Sequence, residues 1–428
     1  MTGFNFVIIM KKVVVFSIIL LCGHWGLAQT YYEVRMGKID LRDWKVSERN
    51  VISLDGEWLF SWEKLQTWDE IKRSKTFVKF STPWNEQEIE GKYYSPNGYA
   101  TYAVEIILPP DLKEISLDVP AVFNSYALWA NGQLVCTNGK VGASIEDSKP
   151  QWKPQSVLIK LDSNVVHLVM HITNFQNTRG GASQFIKLAA GDQLIVHRAN
   201  DKQIVTLIFY FFLFAGVVGL IVYLVIRQIN IFYFSMLAFA LALRFIFSDI
   251  YLYYDLLPMN VSWPMAVRIE YMTIPLIIIT GGLFMSGKYP NEFKKGFRVF
   301  YLAINSLFIA LIVLIGSSFL SQLLSVIQVI TISFLGYAIY AIINALLDER
   351  VGAWTSALGL FIFALVGIYN IVIFIFGIEL SRLVIYSGYS VALLLSATSL
   401  FYRTPGQIST EKNQILRYSD FYTEQEQK

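Results

Sequence analysis

YALWANGQLVCTNGK, residues 126–140, alternates apolar and polar side chains, breaks at Asn131-Gly132, resumes, and breaks again at Asn138-Gly139. An Asn-Gly pair between two alternating runs predicts a tight β-hairpin, because both central residues of that turn take φ > 0. The alternation continues on either side. YATYAVEIIL (99–108) places Tyr102, Val104, Ile106 and Leu108 on one strand face, and ISLDV (115–119) does the same with Ile115, Leu117 and Val119. VVHLVMHI (165–172) sets Val166, Leu168, Met170 and Ile172 opposite His167 and His171. Short strands punctuated by Gly, Pro and Asn, running from Tyr31 to about Arg198, predict an antiparallel β-sandwich. A domain of that length buries a sufficient core without covalent staples.

The second half of the chain is written for a different solvent. The 428 residues are 54% hydrophobic, too apolar for a wholly soluble protein. Seven apolar stretches, 204–226, 231–249, 263–286, 297–316, 321–346, 353–376 and 382–402, each approach the length of a membrane span. Lys288, Lys294, Lys295 and Arg298 crowd the connection after the third, and Arg227 and Arg403 follow the first and seventh. The connections around 250–261 and 316–320 contain no Lys or Arg. The positive-inside rule therefore predicts an exterior β-domain and a cytoplasmic C-terminus.

The N-terminus agrees with that orientation. Lys11-Lys12, the apolar run VVVFSIILL (13–21), and small Gly26 and Ala28 before Gln29 predict a secretory signal peptide, with Met10 as the start; an uncleaved anchor is the alternative. Cys22 follows Leu21, where a lipoprotein needs a small residue. Cleavage after Ala28 leaves Cys136 as the one cysteine and no intrachain disulfide. The expected division is signal peptide 1–28, β-domain 29–198, seven-helix domain 199–402 and cytoplasmic tail 403–428. A formal net charge of +3, with no dense basic stripe in the first half, argues against a nucleic-acid partner.

Several chemistries are excluded by residue type. A retinal Schiff base needs an intramembrane lysine, and no span contains one. Haem held by paired imidazoles and a Ser-His protease both need intramembrane histidine, whereas the four are His24, His167, His171 and His197. On a strand, with a rise of about 3.3 Å per residue, His167 and His171 stand some 13 Å apart, too far for one metal ion. Asp55, Glu57, Glu86, Glu88 and Glu105 supply carboxylates, and a solvated surface accounts for them without catalysis. No catalytic residue, metal or cofactor is expected.

LDGEW (54–58), Pro83-Trp84, YATYAVEIILP (99–109) and YALWANGQLV (126–135) occur in an order that resembles the sugar-binding jelly-roll domain of glycoside hydrolases such as β-galactosidase and β-glucuronidase. TNFQNTRGG (173–181) followed by GDQLIVHR (191–198) looks more specifically like the periplasmic jelly roll of bacterial seven-transmembrane receptors with diverse intracellular signalling modules, and RIEYMTIP (268–275) resembles their third span. The resemblance implies a β jelly-roll sandwich followed by a seven-helix bundle in a Gram-negative inner membrane. In the hydrolases a separate barrel performs catalysis, and no segment of barrel length exists here. The receptors continue into an output domain, whereas this sequence stops at Lys428. Ile408, Ile415 and Tyr422 repeat every seven residues, with Tyr418 at a d-like position. Three readings stand: a dimerising stub, a dock for a separately encoded cytoplasmic signalling protein, or a lost output domain.

The expected function is a sensory receptor that binds a carbohydrate or related small ligand and signals through its helices, as a monomer or homodimer in the bilayer. A transporter or accessory subunit, and a non-signalling carbohydrate-binding anchor, are the alternatives. Sugar sites combine aromatic faces with a few convergent polar groups, which nominates Trp84, Tyr93, Tyr94, Asn97, Trp129, Asn138, Lys140, Trp152 and Arg179. Each also has a packing reading; Trp129, for one, lies opposite Tyr126 and Leu128. Gly180 and Gly181 suggest a tight bend. Intramembrane charge marks Arg244, Arg268 and Glu270 as coupling candidates. Arg244 and Glu270 would lie roughly 9–12 Å below the outer surface at about 1.5 Å per residue, with Arg268 a little shallower.

Overall fold

The computed structural model describes residues 32–45, 51–122, 125–248, 250–257, 261–376 and 382–400. The signal-peptide reading, Cys22, Arg403 and the heptad pattern of the tail lie outside the described residues. Strands β1 (Lys38–Asp40), β2 (Ile52–Ser53), β3 (Glu57–Trp62), β4 (Phe77–Lys79), β5 (Gly98–Ile107), β6 (Glu114–Val119), β7 (Ser125–Ala130), β8 (Gln133–Asn138), β9 (Gln155–Lys160), β10 (Val165–Asn174) and β11 (Lys187–Ala190) form two sheets. The larger runs β4-β3-β5-β10-β7-β8, and the smaller runs β2-β11-β6-β9. All pairs are antiparallel except β1, which lies parallel to β5 along Glu105–Ile107, beyond the stretch Ala100–Ala103 that β3 covers. From β5 onward the chain crosses between the sheets repeatedly, so neither sheet forms alone.

The hairpin at 126–138 is as the alternation predicts. Asn131 (φ 48°) and Gly132 (φ 79°) join β7 to β8, the two left-handed conformations that a type I′ turn requires. The second Asn-Gly differs. Asn138 ends β8, and Gly139 (φ 70°) turns the chain into a bridge between Lys140 and Lys149 rather than a second hairpin. A Cβ on Gly139 would stand 2.1 Å from the Lys149 carbonyl oxygen.

One hydrophobic core fills the space between the sheets. Tyr102, Val104 and Ile106 of β5 meet Leu168 and Met170 of β10 on one side, and Ile115, Leu117 and Leu188 complete it from the other. The opposite face of the large sheet has a second, thinner layer. There Leu59, Ile71, Ala103 and Val169 pack together beneath the short helix α1 (Trp68–Ile71), with Trp68 and Trp129 at the edge.

The remaining helices are α2 (Gln193–Ile226), α3 (Ile229–Phe247), α4 (Tyr253–Leu256), α5 (Trp263–Lys288), α6 (Lys295–Leu314), α7 (Ser317–Leu347), α8 (Ala353–Phe376) and α9 (Arg382–Leu400). By length and composition five of the described helices, α2, α3, α5, α6 and α7, can cross a membrane. Two further apolar helices, α8 and α9, follow. Two expectations are corrected. The first long helix begins at Gln193, not 204, so 193–198 form its first turns. Residues 317–320 are helical, since α7 starts directly after Gly316.

Helix neighbours run α2-α3-α5-α7-α8-α9, and α9 also touches α2, which closes a ring; α6 packs on α5 and α7 from outside. The α2–α3 seam uses small residues, which let helix backbones approach where apolar surface alone gives no preference for protein over lipid. Ser235 Oγ donates to the Gly216 carbonyl at 2.5 Å. A Cβ on Gly216 would press to 2.7 Å from the Phe239 ring.

Candidate functional site

Two loops of the β-domain are stitched into one rim. Asn174, at the end of β10 and almost wholly buried, donates through Nδ2 to the carbonyls of Pro96, Asn177 and Arg179 at 2.7, 2.9 and 3.1 Å. Asn85 Nδ2 donates to the Thr178 carbonyl at 3.1 Å, and Asn85 Oδ1 accepts from Gly180 N at 2.8 Å. Gly180 and Gly181 bend the chain over the Trp84 ring. A Cβ on Gly180 would lie 2.3 Å from that indole, and Gly181 takes φ +90°. The result presents Arg179, whose Nε and Nη2 donate to Glu86 Oε1 and Oε2 at 2.6 and 2.9 Å.

A second cluster fastens the first turns of α2 to the sheets. Arg198 Nε donates to Asp118 Oδ1 at 2.9 Å and to Ser156 Oγ at 2.7 Å, joining β6, β9 and the helix. Leu194 N donates to Ser116 Oγ at 3.2 Å in a buried position, which satisfies one of the free amides of the helix start. A third contact comes from the 140–154 loop. Trp152 is buried edge-on against Trp263, with ring centroids 5.6 Å apart, and packs on Tyr251 at 6.0 Å. Lys202 pairs with Asp255 at 2.7 Å beside it.

Between the β-domain and the helical ring lies a cavity of about 610 Å³. Its mouth carries Glu86, Arg179, Asp118 and Arg198, and it continues past Arg244 and Glu270 into an apolar interior bounded by α3, α5, α7, α8 and α9. Arg244 lies in the last turn of α3, which ends at Phe247, closer to the helix end than the span pattern implied. Its Nη1 donates to the Glu270 main-chain carbonyl and to Thr273 Oγ1, both at 3.3 Å. Arg268 turns elsewhere, donating to the Pro264 and Ile315 carbonyls at 3.3 and 3.2 Å, so it ties α5 to the end of α6.

The nine candidates separate into groups. Arg179 and Trp152 line the large cavity, and Trp84 supports its rim from beneath, donating through Nε1 to the Ser95 carbonyl at 2.8 Å. Trp129 and Lys140 share a shallower hollow of about 320 Å³ on the outer sheet face, with Leu65 and His171. Asn138 is buried and accepts from Lys153 N at 3.0 Å through Oδ1, so it anchors the Trp152 loop. Tyr94 packs on Trp62 at 4.7 Å, while Tyr93 and Asn97 are exposed apart from both hollows.

His167 and His171 serve packing. His167 stacks on Trp68 at 4.1 Å and approaches Glu105 at 3.3 Å, and His171 Nε2 lies 2.9 Å from the Gln66 carbonyl oxygen. Burial lowers the His171 pKa from its ordinary 6.5. No grouping of three or more potential metal ligands occurs among the described residues. Of the acids considered in the sequence, Asp55 accepts from Ser81 Oγ at 2.6 Å, Glu86 binds Arg179 and Glu105 binds Lys38 at 2.8 Å.

Sequence reasoning missed Asp118, Arg198 and Trp263. The first two lie in separate regions joined only by the sheet crossing, but Trp263-Pro264 at a span entrance carried a signal, since tryptophan favours membrane interfaces.

No family model matches the chain, and no curated relative matches it. Among solved structures it is similar to a GH2 β-galacturonidase from Eisenbergiella tayi bound to galacturonate, at 16% identity and a TM-score of 0.25, over 36% of this chain and 27% of that one. It is also similar to a β-glucuronidase from Ruminococcus gnavus in complex with uronic isofagomine, at 14% identity and a TM-score of 0.27, over 34% of this chain and 29% of that one. A β-glucuronidase from an uncultured Clostridium shares 11% identity at a TM-score of 0.26, over 32% of this chain and 28% of that one. The chain thus spans less than a third of the length of these proteins.

Proposed function

We propose that the chain is a transmembrane sensory receptor of the bacterial inner membrane. In this reading the β-domain is a periplasmic jelly roll that binds a carbohydrate or related small ligand, α2, α3 and α5–α9 are seven spans, and the C-terminus faces the cytoplasm. Ligand binding shifts the helix packing and so the geometry presented to a cytoplasmic partner. No catalytic step belongs to it.

The observation that carries the reading is the rigid joint at the start of α2. Arg198 is held by Asp118 and Ser156 on two strands of the small sheet, and the same helix runs on without interruption to Ile226. Displacement of the sheets must therefore move the first span. A ligand exerts such an effect only if it binds the two arrangements with different affinity.

The test is a thermal-shift screen of the full chain in nanodiscs against mono- and oligosaccharides and sugar acids. A site saturated at about a hundred times Kd stabilises the folded state by roughly 2.7 kcal/mol. A saturable shift lost in Trp129→Ala or Arg179→Ala supports the reading and selects between the two hollows. A folded protein that no saccharide shifts would sink the carbohydrate ligand. The cavity inside the helical ring favours a second reading, a transporter or its accessory subunit, and ligand flux into proteoliposomes would establish that instead.

A further inference from the structure

We infer that the large cavity binds an amphiphile, with an uncharged, hydroxyl-rich head at the mouth under the β-domain and an alkyl chain along the inside of the helical ring. This site is separate from the hollow beside Trp129 and does not depend on the receptor reading.

The polarity of the lining changes along its length. At the mouth Arg179 and Arg198 are matched by Glu86 and Asp118, and Arg244 and Glu270 follow at the next level. Three guanidinium groups and three carboxylates leave no formal surplus of either sign. Such a wall offers donors and acceptors together, which suits hydroxyls; a phosphate head calls for a surplus of guanidinium donors. Further in, Leu241, Ile278, Phe334 and Leu393 make the wall apolar. Several hydroxyls at that depth are already engaged, Thr331 donating to the Ile327 carbonyl, Ser396 to that of Ala392 and Tyr289 to Ser356 Oγ, each at 2.8 Å. They do not make the interior a water site, which needs several unsatisfied polar partners.

The dimensions fit one long chain. Along α5 the lining runs from Glu270 to Met285, about 22 Å at 1.5 Å per residue. A volume of about 610 Å³ falls within the roughly 300–1,000 Å³ of small-molecule sites. Two glycines keep the channel wide. A Cβ on Gly281 would meet only Leu237 Cδ1 at 3.8 Å, and one on Gly367 only Leu335 Cδ1 at 3.8 Å, whereas Gly282 next to the first has Tyr301 at 2.5 Å. Close helix packing explains Gly282; open space inside the ring is what Gly281 and Gly367 leave.

The test uses the full chain in phosphatidylcholine nanodiscs and a photoactivatable alkyl maltoside with a diazirine near its chain end. Crosslinked peptides are mapped by mass spectrometry. Saturable labelling is expected around Phe284 and Phe334, competed by unlabelled alkyl maltoside and reduced at least tenfold by Gly281→Leu or Gly367→Leu, each of which fills the channel alone. Gly336→Leu, on an exposed face of α7, should leave it unchanged. Labelling confined to outward residues such as Phe214 and Val329, or indifferent to both channel-filling variants, would overturn the proposal. Competition by phosphatidylglycerol but not by maltoside would overturn the assignment of an uncharged head.

Discussion

Burial pushes the Cys136 thiol up to about 11, so at neutral pH almost none of it is the reactive thiolate. In a Cys22→Ser background the folded protein should therefore resist iodoacetamide at pH 7.5 and react once unfolded in urea; fast labelling before unfolding would show that β8 is not packed as described. His171 gives a pH dependence of definite sign. Burial depresses its pKa below the ordinary 6.5, so as pH falls through 6.5 the unfolded chain takes up a proton that the folded chain refuses. Stability of the β-domain is then fully present above pH 6.5 and declines below it. Glu105, whose pKa is lowered from 4.5 chiefly by the Lys38 hydrogen bond, contributes stability that is lost only below pH 4.5. The window between belongs to His171, and His171→Gln should flatten the melting temperature from pH 6.5 to 4.5. An unchanged slope in that variant would assign the effect elsewhere.

Trp84 and Tyr93 lie in one irregular connection between β4 and β5, yet packing gives them different weights. Trp84 is fully buried, meets Trp62 edge-on at 5.1 Å and supports Gly180 and Gly181. Trp84→Ala should cost about 3–5 kcal/mol, while Tyr93→Ala, exposed to solvent, should stay within about 0.5 kcal/mol; urea denaturation followed by circular dichroism measures both. The comparison also explains what the sequence could disclose. Period-two alternation placed Val104, Ile106, Leu168 and Met170 on the core face because strand geometry is local, and the first Asn-Gly was readable because its turn needs nothing beyond four residues. The conformation at the second Asn-Gly was not readable from four residues, since its partner, Lys149, is brought back only by the loop. The site residues were less legible for the same reason. Arg179 gains its meaning from Glu86 and Arg198 from Asp118, and those pairs exist only after the sheets have crossed.

The β-domain and the helices meet through two kinds of joint. One is the covalent continuation into α2, locked by Arg198; the other is a docking contact between the 140–154 loop and the entrance of α5. The docking contact reaches the deeper charges directly, because Trp263 opens the helix that carries Arg268, Glu270 and Thr273. Trp152 belongs to the apolar cluster of that junction with Val267 and Tyr271, not to the core between the sheets. Trp152→Ala should accordingly leave the β-domain folded and loosen the docking alone. Loss of a buried tryptophan costs about 3–5 kcal/mol, and at about 1.4 kcal/mol per tenfold the undocked population would rise more than a hundredfold. Hydrogen exchange should quicken at 263–268 and in the 140–154 loop, with β5 and β10 still protected. Asn138→Ala, which frees Lys153 N from its anchor, should reproduce the effect more weakly because Trp152 itself remains. If exchange instead quickened throughout the sheets, Trp152 would be part of the β-domain core, and the joint between the two halves would reduce to α2.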